Sequence, residues 1–390
     1  MGTERSMKLS DIARLAGVSR STVSRVINND PRVSDEVRRR VRETIAEVGY
    51  QPNAAARALA SRRTGIIGLV IPEDFGTVHA DPWFPPLIQA CLDAAKAHDL
   101  SIMLLSEAVD QPGSVQRLME RFVRARTVDG LLLSNSLEGD LLAPQLQEAR
   151  FPYILIGRPG SPGHSFVDVT NRESSAAVTR HMLQHGYTRP AMINGPETVI
   201  PARDRRLGFE DALREAGIDP SRVPVRWVDF TRPGAYRAAL ELLSLDPRPD
   251  CIFAASDSIA VAVLEAATAR GLQVPGDLAV VGFDDIMPER NARLGLTTVR
   301  QPVGQLAAEA VRLLSELVQR RAAVAGLARV AGRRAMDMRV RPSGPCRPGD
   351  GQKGGHDHNN MTTRPGRGSC PVPGRQRRTR ARTCAPRPRS

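Results

Sequence analysis

Apolar positions in the first fifty residues recur at helical spacing in three short runs. Ile12, Leu15 and Ala16 lie three and four apart and mark one face of a first helix, which Gly17 ends in a left-handed turn. Val23, Val26 and Ile27 mark the inner face of a second helix, with Ser19 at its N-cap. A third helix follows, capped by Ser34, with Asp35 and Glu36 in its first turn, Val37, Val41, Ile45 and Val48 on its buried face, and Gly49 at its end. The stripe on the second helix leaves Arg20, Ser21, Ser24 and Arg25 pointing outward, with Thr22 beside them. Alone, the pair of helices reads as a basic amphipathic hairpin or as a helix-turn-helix. The third helix favours the latter, whose second helix enters the major groove by its N-terminal half. Arginine suits guanine there, and serine suits a base or a phosphate.

Tyr50-Gln51-Pro52-Asn53 leads into the Ala-rich segment Asn53 to Ala60, about two helical turns long. A helix that short is marginal unless docked. Leu59 is its one large apolar residue, and either packs on the next domain or wedges into the minor groove.

From Thr64 the pattern changes. Short apolar runs (Ile66–Ile71, 101–105, Gly130–Leu133, Tyr153–Ile156, Pro190–Asn194, Cys251–Ala254, 279–283) alternate with helical patterns at 87–98, 114–126, 174–185, 203–216 and 259–270. This alternation predicts parallel doubly wound sheets, too long for one sheet and so in two lobes, with a ligand cleft at the strands' carboxyl ends. Four groups at such ends are candidate ligand contacts. Asp81-Pro82-Trp83-Phe84 offers an aromatic face for a sugar ring or a base, or else packs in the lobe. Arg205 offers a guanidinium fork to vicinal hydroxyls or a carboxylate, or else makes a surface ion pair. Ser256 and Asp257 hold a ligand or cap a helix, and Asp284 with Asp285 holds a ligand or makes a turn. No Gly-x-Gly-x-x-Gly, phosphate-binding lysine loop, His-Glu-x-x-His or Ser/His/Asp order is present, so an enzyme and a bound cofactor are not indicated.

The residues Leu9, Asp11, Ala13, Ala16-Gly17-Val18-Ser19, Thr22-Val23-Ser24-Arg25-Val26, Val33-Ser34, Gly49-Tyr50, Pro52-Asn53 and Ala58-Leu59-Ala60 resemble the headpiece and hinge of the LacI/GalR family of bacterial transcriptional repressors. The resemblance runs on to about Pro342. It implies an all-α helix-turn-helix headpiece on an α/β two-lobed, periplasmic-binding-protein-like effector domain. It also implies a homodimer on double-stranded DNA with a pseudo-palindromic operator. Arg20, Ser21, Thr22, Ser24 and Arg25 would then face DNA, joined by Asn53 and Arg57 of the hinge, with Leu59 of two hinges in a central C·G/G·C step. A small-molecule effector, by family habit a sugar, would meet Asp81, Trp83, Phe84, Arg205, Phe230, Ser256, Asp257 and Asp284. Phe230 matches a ring-stacking position of the purine-responsive branch, which keeps a corepressor-dependent or activating regulator responding to a nucleobase or nucleoside as the alternative. Three departures stand out. Lys8 replaces a Thr cap on helix one, Ser256 stands where sugar-responsive members often carry Asn, and Thr170-Asn171 replaces Asp-Asn.

Charge sharpens this division. The chain carries +13, of which residues 1–64 hold +6 and residues 343–390 hold +9, leaving −2 between them. A basic headpiece suits a phosphate backbone. The Gly/Pro/Arg-rich stretch 343–390 has too few large apolar residues to offset ordering entropy and is expected to be disordered. It lacks the Leu heptads some relatives use to tetramerise. The expected domains are 1–52 (headpiece), 53–63 (hinge), 64–342 (two-lobed domain) and 343–390 (tail). Five cysteines show neither a disulfide framework nor a metal spacing, and no apolar signal region or membrane-length run is present. Those features imply a cytoplasmic protein and argue against a transport-type solute-binding protein.

Overall fold

The computed structural model describes residues 7–27, 30–50, 63–71, 81–107, 109, 111–134, 136–323, 333–336 and 339–341. Three helices form the headpiece: α1 (Leu9–Leu15), α2 (Arg20–Ile27) and α3 (Asp35–Glu47). Ile12, Ala13, Ala16, Val23, Val26 and Val41 are buried against one another. Burying a valine or isoleucine completely contributes about 1.5–3 kcal/mol. Leu15 departs from expectation: it is 54% exposed, because α2 and α3 close on the Ile12/Ala13/Ala16 side of α1. Gly17 and Gly49 have φ of +63° and +62° and end their helices as expected. Lys8 occupies the N-cap of α1 and offers no side-chain acceptor. Its own amide is held by the Asp11 carboxylate at 2.9 Å. Ser34 stands at the N-cap of α3 without a side-chain bond, so the first-turn carboxylates Asp35 and Glu36 carry that end.

The remaining chain builds two parallel sheets. One has the order β11-β5-β4-β3-β1-β2, from β1 (Ile66–Ile71), β2 (Ser101–Ser106), β3 (Gly130–Leu133), β4 (Tyr153–Ile156), β5 (Phe166–Val169) and β11 (Arg333–Met336). It carries α4 (Phe84–Ala97), α5 (Pro112–Leu118, continued by a π turn over Met119–Arg124), α6 (Leu142–Glu148) and α12 (Val303–Ala323). The other has the order β7-β6-β8-β9, from β6 (Pro190–Asn194), β7 (Val225–Trp227), β8 (Cys251–Ala254) and β9 (Ala279–Val281). Its helices are α7 (Asn171–Gln184), α8 (Ile200–Glu215), α9 (Arg232–Leu242), α10 (Asp257–Ala269) and α11 (Pro288–Arg293). The chain crosses between the lobes from β5 to α7, and again after β9. There β10 (Thr298–Arg300) pairs antiparallel with β12 (Arg339–Arg341).

The central strands are apolar runs buried on both faces, as parallel strands must be. Several helices begin two or three residues earlier than the apolar period suggests. In α4 and α8 the first turn contains proline, which loses nothing there because those amides have no helical partner. The strand expected over 279–283 stops at Val281. Asp284 and Asp285 then take φ of +112° and +48°. No helix among the described residues is long and apolar enough to cross a membrane.

Candidate functional site

On α2, Ser19 Oγ accepts the Thr22 amide at 3.1 Å and lies 2.7 Å from Ser21 Oγ and 2.8 Å from Thr22 Oγ1. The cap therefore ties up both neighbouring hydroxyls and fixes the first turn. Arg20, Ser21 and Arg25 are exposed, and Ser24 and Thr22 are half-buried. Five of the expected DNA contacts thus share the first turns of one helix. Asn53, Arg57 and Leu59 lie outside the described residues, as do the expected hinge helix and the tail.

Between the lobes, a narrow gap is lined by Asp81 and Trp83 from the first lobe and by Asp257, Asp284, Met287 and Arg290 from the second, among others. Asp81 Oδ1 accepts the Trp83 amide at 3.0 Å, and Trp83 stands edge-on to Phe84 at 5.4 Å between ring centroids. Behind Asp284 sits Arg205, only 6% exposed. It donates from Nε to Asn171 Oδ1 at 3.0 Å and from Nη1 to the Ala255 carbonyl at 2.5 Å. Its Nη2 lies 3.2 Å from Asp284 Oδ1, and its guanidinium stacks 3.9 Å above the Phe283 ring. Asp284 Oδ1 also accepts Gln301 Nε2 at 2.6 Å. Its backbone sits where an L-residue is strained, a common mark of a functional position.

Burial pushes Asp284 up to about 7, while Arg205 pulls it down and Asp257 and Asp81 push it up further. Asp257 is pushed up to about 6 by burial, against the opposing bonds from Thr298 Oγ1 at 2.6 Å and Asn291 Nδ2 at 2.7 Å. Asp81 is raised by burial too, against the Trp83 amide and Arg205. The cleft thus concentrates carboxylates that each take up protons more readily than usual, with Arg205 as the counter-charge to Asp81 and Asp284.

Several expected contacts sit elsewhere. Phe84 is buried in the lobe core behind Trp83, as the packing alternative for that group held. Arg205 is a buried hub and not a surface ion pair. Ser256 accepts the Ile259 amide at 3.2 Å and caps α10, with Asp257 as the first helical residue. Phe230 rests on Gly195, where a Cβ would meet its ring at 2.1 Å, and packs with the second lobe's outer core. It does not line the cleft.

Sequence reasoning missed the partners. Asn171 positions Arg205, and its Nδ2 faces Asp168 Oδ1 at 3.4 Å. Asp168 is pushed up to about 7, mostly by burial. The Thr170-Asn171 dipeptide was the available signal. A strap across the lobes was also missed. Leu137 pairs with Val199, the Ile200 amide donates to the Ser136 carbonyl at 2.9 Å, and the Glu138 amide donates to the Thr198 carbonyl at 2.9 Å. Glu138 pairs with Arg203, and Arg158 forks onto Asp204 at 2.9 and 2.6 Å. Among the described residues, no histidine, cysteine or lysine lines the cleft. Carboxylates and an indole face are able to accept from hydroxyls and to stack a ring.

Residues 8–53 match the bacterial regulatory proteins of the lacI family, and residues 179–334 match the periplasmic binding protein-like domain. The HTH-type transcriptional regulator CelR of Thermobifida fusca is 35% identical over 321 residues, 82% of this chain and 94% of CelR. The chain belongs to the LacI/GalR family. As a family member it is a DNA-binding transcriptional regulator with an effector-binding core. A solved CelR–cellobiose complex aligns with a TM-score of 0.66 and 31% identity, over 87% of this chain and all of that one. A lac repressor dimer bound to operator and the anti-inducer ONPF aligns with a TM-score of 0.70 and 25% identity, over 86% and 98% of the two chains. The α1–α3 headpiece and the two parallel lobes of this LacI/GalR regulator are the parts those structures share with it.

Proposed function

We propose that this regulator is a dimeric repressor released from its operator by an uncharged sugar bound between the lobes. The observation that carries the reading is the cleft: Asp81 and Trp83 on one lobe face Asp257 and Asp284 on the other across a single space. Carboxylates accept from sugar hydroxyls, and the Trp83 ring offers a face for the apolar side of a pyranose. Among the described lining residues three carboxylates face one cation, Arg290, and Arg205 behind them is already paired with Asp284, so a sugar phosphate meets net repulsion. Phe230, the residue on which purine stacking would depend, lies off the cleft. In the headpiece, Arg20 and Arg25 read base edges, Ser21 and Ser24 bond to base or phosphate, and Thr22 holds the turn. Asn53, Arg57 and Leu59 form the hinge contacts. Ligand shifts the population of lobe arrangements, and the hinges transmit the change.

Thermal unfolding of the full chain with cellobiose, galactose, ribose, glucose 6-phosphate and adenosine tests this. A ligand at about 100 times its Kd adds about 2.7 kcal/mol. The expected result is a raised midpoint with a neutral sugar, lost in Trp83→Ala, and release of operator by the same sugar. Stabilisation by glucose 6-phosphate or adenosine alone would overturn the proposal.

A further inference from the structure

Away from the chain crossings, polar contacts join the two lobes. The strap supplies two of them: the Ile200 amide donates to the Ser136 carbonyl and the Glu138 amide to the Thr198 carbonyl, each at 2.9 Å. Arg203 pairs with Glu138 beside it. Next to the strap, Arg158, which follows β4 in the first lobe, forks onto Asp204 of α8 in the second at 2.9 and 2.6 Å. That fork is part-exposed: the Arg158 side chain keeps 44% of its surface accessible, against 12% for Asp204. A pair so placed contributes little by itself, and a competing charge nearby is enough to unseat it.

Asp168 is that competitor. β4 and β5 run parallel with Ile156 beside Val167, and the Gly157 amide donates to the Val167 carbonyl at 2.7 Å. The register brings Arg158 to the same sheet edge as Asp168, in the same lobe. Asp168 is 8% exposed, and its carboxylate takes a long 3.4 Å contact from Asn171 Nδ2 and the Val169 amide, both neutral. The charged groups that face it are Arg158 from the loop after β4, and Asp204 and Arg205 from α8. Arg205 is already held by Asp284, Asn171 and the Ala255 carbonyl, and Arg158 by Asp204. Asp168 is thus a buried carboxylate beside an arginine committed to the other lobe. Burial, opposed by the Val169 amide, pushes it up to about 7; Asp204 adds to the rise, and Arg158 and Arg205 reduce it.

We propose that Arg158, Asp204 and Asp168 form a proton-sensitive latch between the lobes. While Asp168 carries a proton, Arg158 stays on Asp204 and the strap stays shut. Once Asp168 is ionised, Arg158 has a carboxylate in its own lobe, Asp168 and Asp204 repel each other across the lobes, and parting them lets water reach the buried charge. The closed arrangement holds the Asp168 proton more tightly than the open one, so opening releases a proton. The opening equilibrium therefore rises with pH, by up to about tenfold per unit, and levels off near 7, where Asp168 ionises in the closed arrangement as well. The latch does not depend on which ligand fills the cleft, and it stands apart from the sugar reading.

Amide hydrogen exchange of the full chain, without ligand, tests it, because the Glu138 and Ile200 amides are bonded across the lobes only while these are closed. Protection, normalised to the unfolded rate at each pH, is compared at about pH 5.5 and about pH 7.5, with the amides of β3 as the reference for unfolding of the whole lobe. The strap amides should be less protected than β3, and less protected at the higher pH by up to about 30-fold, at tenfold per unit up to 7. Asp168→Asn keeps the shape of the protonated side chain and should remove most of that pH dependence, leaving the share of Asp81, Asp257 and Asp284 in the cleft. Arg158→Gln, at a part-exposed position, should lower strap protection at the lower pH by roughly twofold to fivefold, the worth of a part-exposed pair. Strap amides that exchange no faster than β3, a pH dependence unchanged in Asp168→Asn, or protection unchanged in Arg158→Gln would each overturn the proposal.

Discussion

Replacing Arg205 by Ala should destabilise the lobes by an amount that grows with pH. The change removes two donated hydrogen bonds and the stacking on Phe283, and it leaves the Ala255 carbonyl and Asn171 Oδ1 buried without that donor. Those losses amount to roughly 3 kcal/mol and do not depend on pH. The third partner does. Asp284 titrates near 7 in the folded protein, above the usual carboxylate value of 3.8. The native state therefore holds that proton more tightly than the unfolded chain, and stability falls as pH rises from about 4 to about 7. Above 7 the wild-type penalty stops growing, because Asp284 is ionised and paired with Arg205. Without Arg205, the largest influence lowering it, Asp284 holds its proton to higher pH and the penalty keeps growing. Above about pH 7, each pH unit over which Asp284 keeps its proton adds about 1.36 kcal/mol to the loss. The expected loss is thus roughly 3 kcal/mol near pH 5.5 and larger near pH 8.5, within the about 3–5 kcal/mol of breaking a buried ion pair. Urea unfolding read by Trp83 and Trp227, the only two tryptophans, measures it. An equal loss at both pH values would refute the reasoning, since Asp284 would then not ionise against Arg205.

Four further outcomes follow from named contacts. The Arg158–Asp204 fork is part-exposed, so a double-mutant cycle with Arg158→Ala and Asp204→Ala should show a coupling of about 0.2–1 kcal/mol. A Cβ on Gly208 would meet the Arg172 carbonyl oxygen at 1.9 Å, where α7 and α8 touch. Gly208→Ala should therefore cost at least the roughly 1–3 kcal/mol of an overpacked core, seen as a lowered urea midpoint. Ser19→Ala removes the cap of α2 and should lower headpiece stability by about 1 kcal/mol, read by amide exchange in α2. Arg20→Ala should weaken operator binding more than binding to random duplex; equal weakening would make Arg20 a phosphate contact.

What was legible in the chain follows from how local each feature is. The headpiece caps, Ser19 and Gly17, act within four residues, and the structure places both as read. Leu15 misled because spacing names a stripe without saying where its centre lies; the buried stripe turns toward Ala13. The central strands β3, β4, β6 and β8 have the bounds expected, because a run buried on both faces has no alternation to blur it. The strand–helix series stops at 283 and leaves out α12, although Leu306, Ala307, Ala310, Val311, Leu313 and Leu314 carry a plain three-and-four stripe. Its signal was present. Asp284 reads from the sequence as a ligand contact or a turn; it forms an isolated parallel bridge with Arg300, at φ +112°, and lines the cleft.

The cleft is another matter, because its chemistry is pairwise and its pairs are remote. Arg205 is a recognisable ligand candidate by type. Its partners Asn171, Ala255 and Asp284 arrive from the β5-to-α7 crossing, the end of β8 and the end of β9. Nothing about the spacing of those residues predicts that they converge. Convergence follows from parallel strands, which bring their carboxyl ends to one edge and leave each loop there to face the others. The same topology explains why Ser256 became a cap and Asp257 a cleft residue: where a strand ends and a helix begins at once, the boundary residue is taken by the helix amides, and its neighbour, one position on, is turned toward the ligand space. It also explains why the strap escaped notice. Ser136–Glu138 and Thr198–Ile200 are ordinary loops taken singly, and only the closing of two sheets edge to edge makes them a crossing. Residue type therefore indicates what chemistry a cleft of this kind has at hand, while the order of strands decides which of those groups meet.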